Sequence, residues 1–202
     1  MTRRLSASLW LALSLLLAGC IGSPEARLDT PPADEIAQLA AGFQALGAAV
    51  DPVEADRLAM IAHTYSQEQA RRYNVTTRPL THNTLVNMGL RERGLCHHFA
   101  DDLHERVKGE GFETLAFTRA LANHTSPWRY EHSALIVTLP GAPISQGIVL
   151  DGWRNGGELF WARTPEDTRY AWVEIQQAFV ERRASREASP VRALLANFAW
   201  LS

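Results

Sequence analysis

The chain has 202 residues, with 20 Lys and Arg against 22 Asp and Glu and a formal charge of −2. That balance gives no basic excess for binding nucleic acid. There are only two cysteines, Cys20 and Cys96, too few for a disulfide framework or a cysteine-rich zinc site.

The N-terminus reads as an export signal. Arg3 and Arg4 precede an apolar run over Leu9–Leu17, which is too short for a spanning helix of about 20 residues. The run ends in Leu17-Ala18-Gly19-Cys20, which resembles the bacterial lipoprotein box. The resemblance implies cleavage before Cys20 and lipid on its sulfur and amine. The alternative is an ordinary signal peptide with an incidental cysteine. Ile21, not Asp, follows the cysteine, so the resemblance implies an outer-membrane anchor facing the periplasm. Loss of residues 1–19 would leave 18 basic and 22 acidic residues, a formal charge of −4. Cys96 would then be the one free thiol. Gly22–Ala33 is rich in Pro, Ser and charge and reads as a tether. The expected organisation is a signal peptide over 1–19, lipidated Cys20 and tether over 20–33, and one domain over 34–202.

Helical periodicity dominates the first half. Ile36, Leu39, Ala40, Phe43 and Leu46 predict a helix over Asp34–Val50. Asp51-Pro52 predicts a capped start for a second helix running to Tyr73, with Leu58, Ile61, Ala62 and Tyr65 inward. A short helix is expected over Leu80–Arg91, with Thr81 or His82 near its start. Gly94 frees the backbone for a fourth helix beginning near Cys96. The second half predicts strands over Thr114–Leu121, Tyr130–Leu139, Gly147–Asp151, Glu158–Trp161 and Tyr170–Ile175. Pro140-Gly141 and Asn155-Gly156-Gly157 mark turns. The mixed charges of Glu181–Glu187 read as a solvated face, and Pro190–Leu201 as a terminal helix. Helices followed by an antiparallel sheet define an α+β domain.

The chemistry-bearing residues fall into this frame. Phe99, Ala100, Leu103 and Val107 follow Cys96 at helical spacing, so the thiol lies on the inward stripe at the helix start. A buried thiol can be a small core residue. A thiol at a helix N-terminus can also be ionised by the free N–H groups and the dipole, and the same N–H groups, with that of Cys96 among them, can hold an oxyanion. His132 sits in a predicted strand. Asp151 closes Ile148-Val149-Leu150, where an acid is costly unless paired. On antiparallel neighbours, Asp151 would reach His132. The set then has the parts of thiol catalysis: Cys96 as nucleophile, His132 as base, Asp151 as orienter.

Gly94-Leu95-Cys96 with Phe99-Ala100, followed by His132 and Asp151 on successive strands, resembles the transglutaminase-like superfamily, whose core is papain-like. The resemblance covers roughly Leu80–Trp161. It implies a Cys-His-Asp site that hydrolyses or transfers acyl groups of peptide amides or esters through a thioester. The chain departs from the family pattern at two places, with Ser133 after the histidine and Gly152-Trp153 after the aspartate. They motivate an alternative, a lipoprotein using the same fold to bind an envelope peptide, glycan or protein complex. A second alternative is a peptidoglycan-peptide hydrolase resembling the NlpC-type cell-wall enzymes, although Leu95 and His97 do not match the residues flanking their cysteine.

Further residues belong to the candidate cleft. Asn83 and Asn87 could donate to an oxyanion, and capping or a surface role explains either as well. Trp128 and Tyr130 share the His132 face by alternation, and Trp153 shares that of Asp151; these aromatics wall a cleft or pack the core. His97, His98 and His104 lack a paired metal spacing and read as solvated surface residues. Asp101 and Asp102 read as macrodipole acids. Nothing calls for a cofactor or a metal. The expected partners are a membrane, through Cys20, and a peptide, protein or cell-wall substrate.

Overall fold

Asp51 and Pro52 set where the longest helix begins. The Asp51 carboxylate accepts hydrogen bonds from the N–H groups of Val53 (2.7 Å) and Glu54 (3.2 Å), and Pro52 occupies the first helical position, where no N–H is needed. The computed structural model describes residues 31–187. The leader, Cys20, most of the tether and the helix expected over Pro190–Leu201 lie outside the described residues. Among those described are five helices: α1 (Ala33–Gln44), α2 (Pro52–Arg72), α3 (Pro79–Asn87), α4 (Cys96–Lys108) and α5 (Ile175–Glu187). The strands are β1 (Ala116–Ala122), β2 (His132–Thr138), β3 (Ile148–Asn155), β4 (Glu158–Arg163) and β5 (Val173–Glu174). They form one antiparallel sheet in the order β4-β3-β2-β1-β5. The domain is α+β.

β2 lies at the centre, and all seven of its residues are buried. Its alternation divides two cores. Leu135 and Val137, with Ile148 and Leu150 of β3, meet Leu39 and Phe43 of α1, Leu58 of α2 and Leu103 of α4. Ala134 and Ile136, with Ala120 and Val149, pack under Ile144 and Trp172. Each fully buried aliphatic side chain contributes about 1.5–3 kcal/mol of transfer free energy. His132 shares strand parity with Ala134 and Ile136.

Several boundaries differ from the sequence expectation. α1 stops at Gln44, six residues short of Val50, before a turn in which a Cβ on Gly47 would stand 2.9 Å from Leu139 Cδ1. α3 starts at Pro79, so Thr81 and His82 are internal, and His82 is buried. It ends at Asn87, and just beyond it Gly89 has φ +73°, with the N–H groups of Gly89 and Leu90 bonding the carbonyls of Val86 and Leu85. β2 begins at His132, which leaves Trp128 and Tyr130 in a loop where alternation says nothing of their direction. β3 runs four residues beyond Asp151, through an irregularity in its pairing with β4 between Asp151 and Asn155. The strand expected over Tyr170–Ile175 shrinks to two residues, because Tyr170 and Trp172 turn onto His132 instead of extending a ladder. The charged run from Glu181 belongs to α5, which the sequence reading lacked.

Two glycines position the site. Gly94 has φ +118°, and a Cβ there would lie 2.2 Å from His82 Nε2. Gly152 lets β3 approach the helices; a Cβ there would meet Ser66 Oγ at 2.7 Å and Phe99 Cδ1 at 3.1 Å. Gly94→Ala is therefore expected to lower stability by about 1–3 kcal/mol from backbone strain alone. Urea unfolding of the two proteins measures it, and an unchanged midpoint would contradict this account of the turn.

Candidate functional site

The thiol is delivered by the turn before α4. Gly94 ends the connection from α3, Leu95 is the N-cap, and Cys96 is the first helical residue. His98 fastens the turn: its Nδ1 accepts hydrogen bonds from the N–H groups of Gly94 (3.1 Å) and Leu95 (3.2 Å). That role requires a neutral ring. Burial, then the charges of His97 and Arg93, hold the His98 pKa down at about 4. His98 is thus a structural cap, not the solvated surface residue expected from sequence. The stripe of α4 is as expected, with Phe99, Ala100, Leu103 and Val107 buried. Cys96 packs on a small cluster of Ala70, Tyr73, Val75, Phe99 and Trp153.

His132 and Asp151 meet on neighbouring antiparallel strands. His132 Nε2 and Asp151 Oδ2 are 2.6 Å apart, with side chains 3% and 1% exposed. A carboxylate only accepts, so Nε2 carries the proton and Nδ1 is left free for another partner. The Cys96 thiol donates to the backbone carbonyl of Glu131 at 3.9 Å, and Cys96 lines one cleft with His132. The ring of His132 is enclosed by Tyr170, Trp153 and Trp172, at centroid distances of 4.4, 4.9 and 5.5 Å.

Asp151 is further anchored by groups that sequence reading missed. Its Oδ1 accepts from the N–H groups of Trp153 (3.2 Å) and Arg154 (3.0 Å), and its Oδ2 from Arg154 Nε (2.9 Å). Arg154 in turn bonds both carboxylate oxygens of Asp167, at 3.0 and 2.7 Å, and Trp172 Nε1 donates to the same carboxylate. No sequence signal marked Arg154, since a residue three along a regular strand points to the opposite face. The irregularity after Asp151 brings the two onto one side.

The charges alternate from Cys96 through His132, Asp151 and Arg154 to Asp167. Burial alone raises the Cys96 thiol, but hydrogen bonds from His132 and His97 and the charge of His132 bring its pKa down to about 7. Burial alone lowers that of His132, but the charge and hydrogen bond of Asp151, then Cys96, raise it to about 9. Burial also opposes ionisation of Asp151; the His132 and Arg154 cations outweigh it and hold the carboxyl below its ordinary range. Between about pH 7 and 9 the favoured state is a thiolate beside an imidazolium.

A cleft of about 230 Å³ opens over Cys96 and His132. Asn83 lines it, and its Oδ1 accepts from Trp153 Nε1 at 3.1 Å, so its amide N–H groups are directed elsewhere. Asn87 is exposed, and it does not line the cleft. Trp128 and Tyr130 line the mouth while 92% and 81% exposed, and Trp153 forms the buried wall. Asp101 and Asp102 are not first-turn acids: they pair with Arg119 and with Arg93 and Tyr73. The residues that follow His132 and Asp151 have packing partners of their own. Ser133 accepts a 2.6 Å hydrogen bond from Arg119, and Gly152 makes room for Ser66 and Phe99. Among the described residues no group of three or more His, Cys, Asp and Glu is placed to hold a metal ion. No family model, curated protein or solved structure matches this chain.

Two outcomes follow from this geometry. Alkylation of Cys96 by iodoacetamide should rise with a midpoint near pH 7, and His132→Asn should move the midpoint upward, because the charge that favours the thiolate is gone. Arg154→Met should cost about 3–5 kcal/mol by leaving the buried Asp167 carboxylate without its cation and Asp151 with His132 as its one remaining cation, read as a fall in denaturation midpoint.

Proposed function

We propose that the chain is a lipid-anchored envelope protein of transglutaminase-like, papain-like construction. Its Cys96–His132–Asp151 site hydrolyses or transfers acyl groups of peptide amides or esters. The observation that carries this reading is a buried His132 held by Asp151 at 2.6 Å in the same cleft as Cys96, the first residue of its helix. The lipid anchor rests on Leu17-Ala18-Gly19-Cys20 alone and places the protein at the outer membrane, facing the periplasm.

The chemistry runs as follows. The Cys96 thiolate attacks the carbonyl carbon, and the C–S bond forms as the carbonyl π pair moves to oxygen. That oxyanion lies against the N–H of Cys96, which has no acceptor within the helix, and the Asn83 amide. His132, protonated in the ion pair, gives its proton to the departing amine or alkoxide as the acyl bond breaks. A thioester remains. Neutral His132 then takes a proton from water or an acceptor amine, which attacks the thioester and releases the thiolate. Throughout, Asp151 keeps Nε2 protonated and steadies the imidazolium.

The test is turnover by the purified chain of peptide amides, peptide esters and sacculi. Cys96→Ala should abolish it, and Asp151→Asn should lower kcat/KM on the order of 10³–10⁴-fold. The wild-type profile should rise through about pH 7, as the thiolate forms, and fall through about pH 9, as His132 loses the proton needed by the leaving group. Undiminished turnover by Cys96→Ala would refute the proposal, and muropeptide release from sacculi would assign the substrate to the cell wall.

A further inference from the structure

The charge of the cleft is opposite to that of the chain. Overall the sequence carries −2, yet the cleft lining holds two guanidinium groups, Arg129 and Arg169, against one carboxylate, Glu131, while Cys96 and His132 balance each other. Glu131 is already neutralised by an ion pair with Arg182 of α5. Arg129 and Arg169 have no carboxylate partner among the described residues. Arg129 spends one N–H on the backbone carbonyl of Arg169, at 3.0 Å, which draws the two segments together at the mouth. The guanidinium of Arg169 lies 5.7 Å from the centre of the Tyr170 ring, the ring that also covers His132. The two cations are therefore tied to the elements that frame the reacting groups.

The cleft is also small. At about 230 Å³ it falls below the roughly 300–1,000 Å³ of pockets that enclose a whole small molecule. That volume suits the reacting segment of a longer chain better than a whole ligand, and exposed Trp128 and Tyr130 offer apolar surface beside it. We infer that the substrate is an acidic peptide, in which a carboxylate near the scissile acyl group is held by Arg129 and Arg169. The inference rests on the proposed function for the reaction but not for the charge preference, which can be read without turnover. An anionic segment is drawn to such a mouth by the field of two guanidinium groups that no carboxylate among the described residues compensates.

The experiment is protection of Cys96 in the full chain against iodoacetamide. The thiolate displaces iodide, forming a C–S bond as the C–I bond breaks, and added peptide slows this by occupying the cleft. Acetyl-tetraglutamate amide is compared with acetyl-tetraglutamine amide. The acidic peptide should half-protect at a concentration about tenfold lower at low salt, and the preference should fade near 0.5 M ionic strength, where screening acts within about 5 Å. In Arg129→Gln/Arg169→Gln the two peptides should protect equally. Equal protection in the wild type, or a preference that survives in the double variant, would overturn the inference. An ordinary thiol titration with the acidic preference intact would instead count against the thiol chemistry and leave the anion-selective cleft standing.

Discussion

A single buried carboxylate organises this end of the molecule. Asp151 lies in a central region of the sheet where an isolated charge would be expelled or protonated, and it remains ionised because His132 and Arg154 both reach the same oxygen. That one requirement explains several features at once. β3 must continue past Asp151 and become irregular, so that the Trp153 and Arg154 N–H groups fold back onto Oδ1. Arg154 must be balanced, so Asp167 is brought under the sheet by the segment after β4. Trp172 must cap Asp167 and cover His132, so the last strand cannot be long. The aromatic enclosure of His132 strengthens every charge interaction inside it by keeping water out.

The amino-acid sequence made much of this visible. α2 was legible because Asp51-Pro52 is a local device, an acceptor and a missing donor placed where a helix start needs them. The inward stripe of α4 was legible because helical periodicity is local too. Cys96, His132 and Asp151 were legible as residue types in matching contexts, and the structure brings them together. What was hidden depends on contacts distant in sequence. Arg154 and Asp167 are thirteen residues apart and meet only because β3 departs from regular pleating. His98 looked like a surface residue, since nothing local shows that its ring turns back to the two N–H groups ahead of the helix. Tyr170 and Trp172 carry strand-forming bulk, and it is their packing against His132 that overrides that propensity.

The two places where the sequence differs from the transglutaminase-like pattern it resembles take on a different weight in this light. Ser133 and Gly152 each sit next to a proposed catalytic residue, and each has a steric or hydrogen-bonding partner supplied by this chain: Arg119 for the first, Ser66 and Phe99 for the second. They describe how this particular sheet is fitted to its helices. The chemistry of the proposed site is set by the neighbouring residues, whose hydrogen bonds are complete without them.

Cys96 owes its ionisation to groups that lie 36 residues away and further along the chain, not to its immediate neighbours alone. In an unfolded chain it is a plain thiol, mostly protonated near neutrality. Only when α4 has docked against β2, and β3 has placed Asp151 behind His132, is the thiol drawn below its ordinary pKa and fitted for the nucleophilic role proposed for it. The proposed reactivity is therefore acquired together with the tertiary fold. A newly made chain passes through its most exposed stage with its thiol in the less oxidisable form, and by the time the thiolate exists it stands within a walled cleft that limits what can reach it.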